Sequence, residues 1–356
     1  MPLKFSSRSK GFRVLAGSLV LSSALTLAAC GEQSQDDSPA VEQAVGLAVD
    51  APRVVVLETG TAPLRTFAYK DVPAADAEAT TQEVTLEIAQ GFAQSVGAAE
   101  QVDPIAPAGG DVTTMTLPIS ASTQAAEASE EEAIAASRDI SYQVGNPDFT
   151  DLSQSPETNT AAGFILGMRA TDSGQATTMS LAAPVDATDT GRALMEQYLM
   201  TFTSLPIIFP TEEVGVGAKW TVDSRVTGES TLLQTLTYTI TALEGDKVEL
   251  EVSVSQRPSI SALDITADAT ATAATTEATP TTTAAPEQLN VLSSNTTSVG
   301  NLSVDLTQPL PTAGQVSWTT RVIYGGASNN TRIVQDSTSS VKFGESETAA
   351  TTTISN

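Results

Sequence analysis

Apolar and polar residues alternate with period two over long stretches of this chain, and that alternation dictates antiparallel sheet. Val84, Leu86 and Ile88 alternate with Glu83, Thr85 and Glu87. Leu236, Tyr238 and Ile240 alternate with Thr235, Thr237, Thr239 and Thr241. Val248, Leu250, Val252 and Val254 alternate with Glu249, Glu251, Ser253 and Ser255. Residues two apart on a strand share a face, so each stretch offers one face to a core and one to water. Strands of a parallel sheet, covered on both faces, read as unbroken apolar runs instead.

The same reading extends along most of the chain. Leu302, Val304 and Leu306 alternate, as do Val316, Trp318, Val322 and Tyr324. Further strands are expected at Val54–Leu57, Leu64–Tyr69, Val112–Ile119, Ile140–Val144, Phe164–Ala170, Thr177–Leu181, Trp220–Val226 and Val341–Phe343. Glu244-Gly245-Asp246 between two alternating runs predicts a hairpin, and residues 325–330 predict a looser one. One segment has helical spacing. Leu194, Tyr198 and Phe202 fall at i, i+4 and i+8 within Asp189–Ser204, Met195 and Leu199 widen the stripe, and Pro206 follows its end. Ala121–Ser137 is rich in Ala and Glu and reads as a short exposed helix or an acidic loop. The expected fold is mainly β: a large curved antiparallel sheet or half-barrel with one amphipathic helix packed on it.

Two segments lack the apolar residues a core needs. Residues 266–287 are mostly Ala and Thr with Pro280 and Pro286, and read as a disordered insertion in a loop between strands. Residues 345–356 read as a loose tail. The β-rich domain is therefore expected at 51–344.

Composition excludes several chemistries. There is no histidine, so Ser-His-Asp, Cys-His and His-based metal sites are absent. No Gly-rich phosphate loop is present, and no Asp-x-Asp-x-Asp-Gly calcium loop occurs. The chain has 17 Lys+Arg against 42 Asp+Glu, a formal net charge of −25. Such a surface repels nucleic acid. Carboxylate pairs can hydrolyse glycosides without histidine, but nothing marks a pair. The expectation is no catalytic residues, no metal and no cofactor.

The N-terminus carries an address. Lys4, Arg8, Lys10 and Arg13 precede an apolar stretch from Val14 to Leu27, which is the layout of a secretory signal and is too short to span a bilayer. Leu27-Ala28-Ala29-Cys30 followed by Gly31 resembles the lipobox of bacterial lipoproteins, and Cys30 is the sole cysteine. The resemblance implies cleavage after residue 29 and a lipid thioether on Cys30. Two acyl chains give a stable anchor where one gives marginal binding. Residues 1–29 are thus expected to be the signal, and 30–50 the lipidated cysteine with a flexible tether. The body is expected at the extracytoplasmic face of the cell membrane.

The most distinctive internal stretch runs Phe209-Pro210-Thr211-Glu212-Glu213-Val214-Gly215-Val216-Gly217-Ala218-Lys219-Trp220. It is similar to a family of exported bacterial lipoproteins of unknown function that carry a Val-Gly-x-Gly-x-x-Trp turn before a long hairpin. The likeness covers Leu194–Val254 and implies a β-rich lipoprotein; it brings no catalytic residues. Pro311–Thr319 repeats Pro-Thr, glycine and tryptophan at a different spacing. A helix over a curved sheet can enclose an apolar groove, and Tyr198, Phe202, Trp220 and Trp318 would line it, binding a lipid or other amphiphile. The same four residues can equally fill a core. The alternative function is a structural or protein-interaction component of the cell envelope.

Overall fold

The computed structural model describes residues 39–75, 77–129, 134–226, 231–260, 262–264, 288–326 and 330–344. Its strands are β1 (Leu47–Ala48), β2 (Arg53–Glu58), β3 (Thr61–Arg65), β4 (Thr80–Ala98), β5 (Thr113–Ala125), β6 (Arg138–Val144), β7 (Asp148–Phe149), β8 (Ile165–Ala170) and β9 (Ala176–Ala182). They continue with β10 (Val214–Val216), β11 (Lys219–Val226), β12 (Leu232–Glu244), β13 (Lys247–Pro258), β14 (Ala262–Asp264), β15 (Gln288–Asp305), β16 (Ala313–Gly325) and β17 (Thr331–Gly344). Among the described residues the helices are α1 (Ser155–Asn159) and α2 (Asp189–Thr203), with a 3-10 turn at Ala99–Gln101.

The protein is mainly β. Fifteen strands form one antiparallel sheet along the path β1-β9-β8-β6-β5-β4-β17-β16-β15-β13-β12-β11-β2, with β7 on β5 and β14 on β15. The sheet is open: β1 and β2 end the path without meeting. The alternation reads directly into its two faces. Val84, Leu86 and Ile88 of β4 lie beside Met115, Leu117 and Ile119 of β5 and beside Val341 and Phe343 of β17, all buried. Leu250, Val252, Tyr238, Ile240, Trp220 and Val222 bury the same face on the far wing. The sheet rolls so that both wings contribute to one core. Gly300 of β15 allows the roll: a Cβ there would stand 2.9 Å from the Val252 carbonyl oxygen of β13.

α2 and the extended segment that follows it fill the inside of the roll. The Thr188 hydroxyl accepts from the Gly191 N–H at 3.1 Å, capping the helix. Gly191 also lets α1 approach, since a Cβ would lie 2.1 Å from the Glu157 carbonyl oxygen. Met195, Tyr198 and Leu199 are buried against the sheet, each burial stabilising by about 1.5–3 kcal/mol. The predicted helix and the Glu244–Lys247 hairpin stand where expected, with Gly245 at φ +59°.

Several expectations are corrected. The tether predicted through residue 50 is ordered well before that position. Val41 bridges Pro184, the Glu42 N–H donates to the Ala183 carbonyl at 2.9 Å, and β1 adds to β9, so the body begins near residue 39 rather than 51. Ala121–Ala125, expected in a helix or loop, continues β5, because Ala121 and Thr123 bury small side chains in the core; sheet pairing overrides alanine's helix preference. The strand expected over Leu64–Tyr69 stops at Arg65, beyond which Phe67 and Tyr69 turn in against Phe209. The strand expected at Val341–Phe343 is the end of a longer one, β17, that begins at Thr331 directly after the looser turn. Residues 1–38, 130–133, 266–287 and 345–356 lie outside the described residues, and with them the signal, Cys30, the Glu130–Glu132 cluster, the Thr-rich insertion and the tail.

Candidate functional site

The four aromatic residues expected to line a groove lie in one continuous core. Trp220 is fully buried, donates from Nε1 to the Ile208 carbonyl at 2.8 Å, and stacks on Tyr238 with ring centroids 5.4 Å apart. Phe209 covers its other side at 5.9 Å. The Tyr238 hydroxyl donates to the Pro206 carbonyl at 2.8 Å. The segment 206–209 is thus fastened across the far wing by two ring-borne hydrogen bonds. Phe202 sits edge-on to Tyr142 and Phe343, and Tyr198 sits edge-on to Phe149 with its hydroxyl 2.8 Å from Thr113 Oγ1. Trp318 is buried on β16 between Ser298 and Ser339 of its neighbours. Each ring meets other protein groups. A glycine of positive φ stands near the start of each tryptophan-bearing strand: Gly217 at φ +83° just before β11, and Gly314 at φ +115° as the second residue of β16. An open depression of about 150 Å³ between residues 44–46 and β8–β9 is smaller than the roughly 300 Å³ at which ligand pockets begin.

Two polar clusters escaped the sequence reading. Asp71, in the loop after β3, accepts from Arg138 Nε at 2.8 Å, Arg138 Nη2 at 2.6 Å and the Thr123 hydroxyl at 2.9 Å. The Arg138 guanidinium also lies 4.0 Å from the centroid of the Tyr69 ring. Burial works against the Arg138 charge, but Asp71 holds its pKa above the ordinary guanidinium value. Burial pushes the Tyr69 hydroxyl up to about 12 against the opposing pull of Arg138, and raises Tyr142 as well. The second cluster is a ladder on the inner face. Gln234 Nε2 donates to the Ser204 carbonyl at 2.6 Å, Gln256 Nε2 to Gln234 Oε1 at 2.7 Å, and the Thr320 hydroxyl to Gln256 Oε1 at 2.8 Å. Both clusters are internally satisfied and join loops to sheet; no charge in them faces solvent. Among the described residues no group of His, Cys, Asp or Glu is placed to hold a metal ion.

The accessible feature is the upper end of β4. β5 pairs with β4 only as far as Gln90, whereas β17 pairs with it to Ala98. Among the described residues, one edge of β4 is therefore bare beyond Gln90. The chain leaves Ala98, crosses the outer face of the sheet as a strap over residues 102–112, and re-enters as β5. Arg321 holds the strap by donating to the Asp103 and Ile105 carbonyls while paired with Asp336 at 2.7 Å. Gly91 admits its return, for a Cβ there would stand 1.9 Å from the Asp111 carbonyl oxygen. On the inner face Phe92 is 58% exposed and Val96 65%. Val112, Leu152 and Met200, in neighbouring elements, are exposed as well. They are linked to β4 through Gln90, whose Nε2 donates to Thr201 Oγ1 at 2.5 Å, and through the pairing of Thr150 with Thr114. The sequence did carry Phe92, Gln94 and Val96 as a continuation of the β4 alternation; their exposure depends on where β5 ends.

No protein-family model matches this sequence, and no curated protein is significantly similar to it.

Proposed function

We propose that this chain is a lipid-anchored, non-catalytic protein of the extracytoplasmic face of the cell membrane that acts by holding a partner protein. The anchor reading rests on the basic and apolar N-terminus ending in Leu27-Ala28-Ala29-Cys30. The observation that carries the interaction role is the apolar edge of β4 that has no strand partner among the described residues beyond Gln90. An amphiphile carrier needs Tyr198, Phe202, Trp220 and Trp318 around a hollow, whereas Tyr198, Phe202 and Trp220 each pack against another aromatic ring and Trp220 also donates to a backbone carbonyl. Exposed apolar patches on soluble bodies mark interaction surfaces.

The test is fractionation of cells expressing Cys30→Ser. The wild-type protein is expected wholly in the membrane fraction, and the variant is expected to leave it, since the alcohol takes no thioether lipid. A Cys30→Ser protein that stays with membranes overturns the anchor. Organic extraction of the purified wild-type protein separates the two roles: stoichiometric lipid beyond the anchor itself would restore the carrier in place of the interaction role.

A further inference from the structure

Backbone geometry states what the bare edge of β4 can bind. In an antiparallel pair, alternate residues turn both N–H and C=O toward the partner strand. The Ala99 N–H donates to the Asn330 carbonyl at 2.9 Å, continuing the β4–β17 register, so odd-numbered residues here face β17. The other side agrees: Thr114 exchanges with Thr150, away from β4, leaving Thr113 to face Gln90. The N–H and C=O groups of Phe92, Gln94 and Val96 therefore point outward along the bare edge. Among the described residues none of them has a backbone partner.

Sheet proteins ordinarily blunt such an edge with charge, proline or a bulge. Gly91-Phe92-Ala93-Gln94-Ser95-Val96-Gly97-Ala98 has none of these, in a chain of net charge −25. The strap backs both ends of this stretch from the outer face, near Gly91 and Gly97, and leaves the edge itself open. The chain's charge of −25 favours a basic partner, and the stretch is bordered in sequence by Glu100 and, through the backbone that lies against Gly91, by Asp111.

We propose that this edge accepts an extended segment of a partner protein as an added strand, neutral and β-branched at its centre and basic at its flanks. The inference rests on the interaction role above and names the partner's chemistry. Backbone pairing to Phe92, Gln94 and Val96 supplies affinity, and alternate side chains of the added strand cover Phe92 and Val96 on the inner face. In the register centred on Gln94 a second copy of this chain does not fit. Pairing two β4 edges about Gln94 sets Phe92 against Val96, but it also sets Ala98 opposite the second copy's Gln90. That place is already held by the second copy's own Thr113.

The test uses the full protein in detergent and a fluorescein-labelled peptide, Lys-Thr-Val-Thr-Val-Thr-Val-Thr-Lys, followed by anisotropy. Saturable binding is expected. Gln94→Pro removes an outward N–H and, on the β17 side, only the exposed side-chain bond that Gln335 Nε2 donates to Gln94 Oε1 at 2.9 Å, so it should weaken binding about tenfold or more with a melting midpoint close to that of wild type. Val96→Lys provides a second variant should proline disturb the strand, with the same expectation. A peptide N-methylated at its valines or at its threonines should lose binding in one set and keep it in the other. No saturable binding, or binding unaltered by both variants, overturns the proposal. A dimer in sedimentation that Gln94→Pro dissociates replaces the partner strand with a second copy. Failure of the Cys30→Ser test leaves this result standing, and failure here leaves the anchor standing.

Discussion

Arg138→Met should be the most damaging single change in the sheet core. Arg138 and Asp71 are 2% and 1% exposed, so neither charge is relieved by water. Removing the guanidinium strips Asp71 of contacts at 2.8 and 2.6 Å and leaves it only the Thr123 hydroxyl. Breaking one side of a buried pair costs about 3–5 kcal/mol, a large share of the roughly 5–15 kcal/mol that holds a domain folded. At about 2 °C per kcal/mol for a chain of this size, the melting midpoint should fall by roughly 8 °C. The loss should be felt at the closed end of the roll, because the loop that carries Asp71 also carries Phe67 and Tyr69 onto Phe209. Urea unfolding followed by far-ultraviolet circular dichroism measures the change. The companion variant Arg138→Met/Asp71→Leu removes both charges and should recover more than half of the loss. A single variant within about 1 kcal/mol of wild type, or a double variant no better than the single, would refute the assignment of the pair as a buried, mutually dependent contact.

Further outcomes follow from the same geometry. Burial raises all five tyrosines, to about 12 for Tyr69 and well above the ordinary value for Tyr142 and Tyr238, less for Tyr198 and Tyr324. Phenols of the unfolded chain ionise near 10, so the stability these groups contribute is complete below about pH 10 and is lost as pH rises through the folded values. Absorbance at 295 nm should therefore stay flat near pH 10 and climb together with unfolding; a full phenolate signal from folded protein at that pH contradicts the burial. Gly91→Ala drives a methyl into the Asp111 carbonyl and should cost about 1–3 kcal/mol. It should also open the strap to limited proteolysis within residues 99–112, and an unchanged digestion pattern contradicts the close approach.

Period-two patterning carried the sheet because it depends on local residue order alone. β11, β12, β13 and β16 could be read that way, as could α2 from its 3.6-residue stripe. The misreadings share a cause. Ala121–Ala125 looked helical by composition, yet its small residues are what the crowded inner face beside β6 accepts. Residues 39–50 looked like tether because single polar and small residues cannot announce that β9 has an edge for them to join. The site was less legible than the fold. Tyr198, Trp220 and Trp318 are buried and Phe202 is half-buried, but their alternation and helical spacing alone do not say whether rings meet a hollow or one another, because segment 204–214 shows no periodicity. Asp71 and Arg138 are far apart in sequence, and only the closed end of the roll joins them. The bare edge of β4 exists because β5 stops at Thr113, a length difference between neighbours that no pattern within β4 encodes.

Amide hydrogen exchange resolved by residue tests the open edge most directly. With β17 on one side and none of the described residues pairing on the other, the amides of Ala93, Ser95 and Gly97 should be protected by sheet hydrogen bonds. Those of Phe92, Gln94 and Val96 should exchange freely, and the strand peptide should slow only the second set. Uniform protection along residues 92–97 in the free protein would mean the edge is already covered.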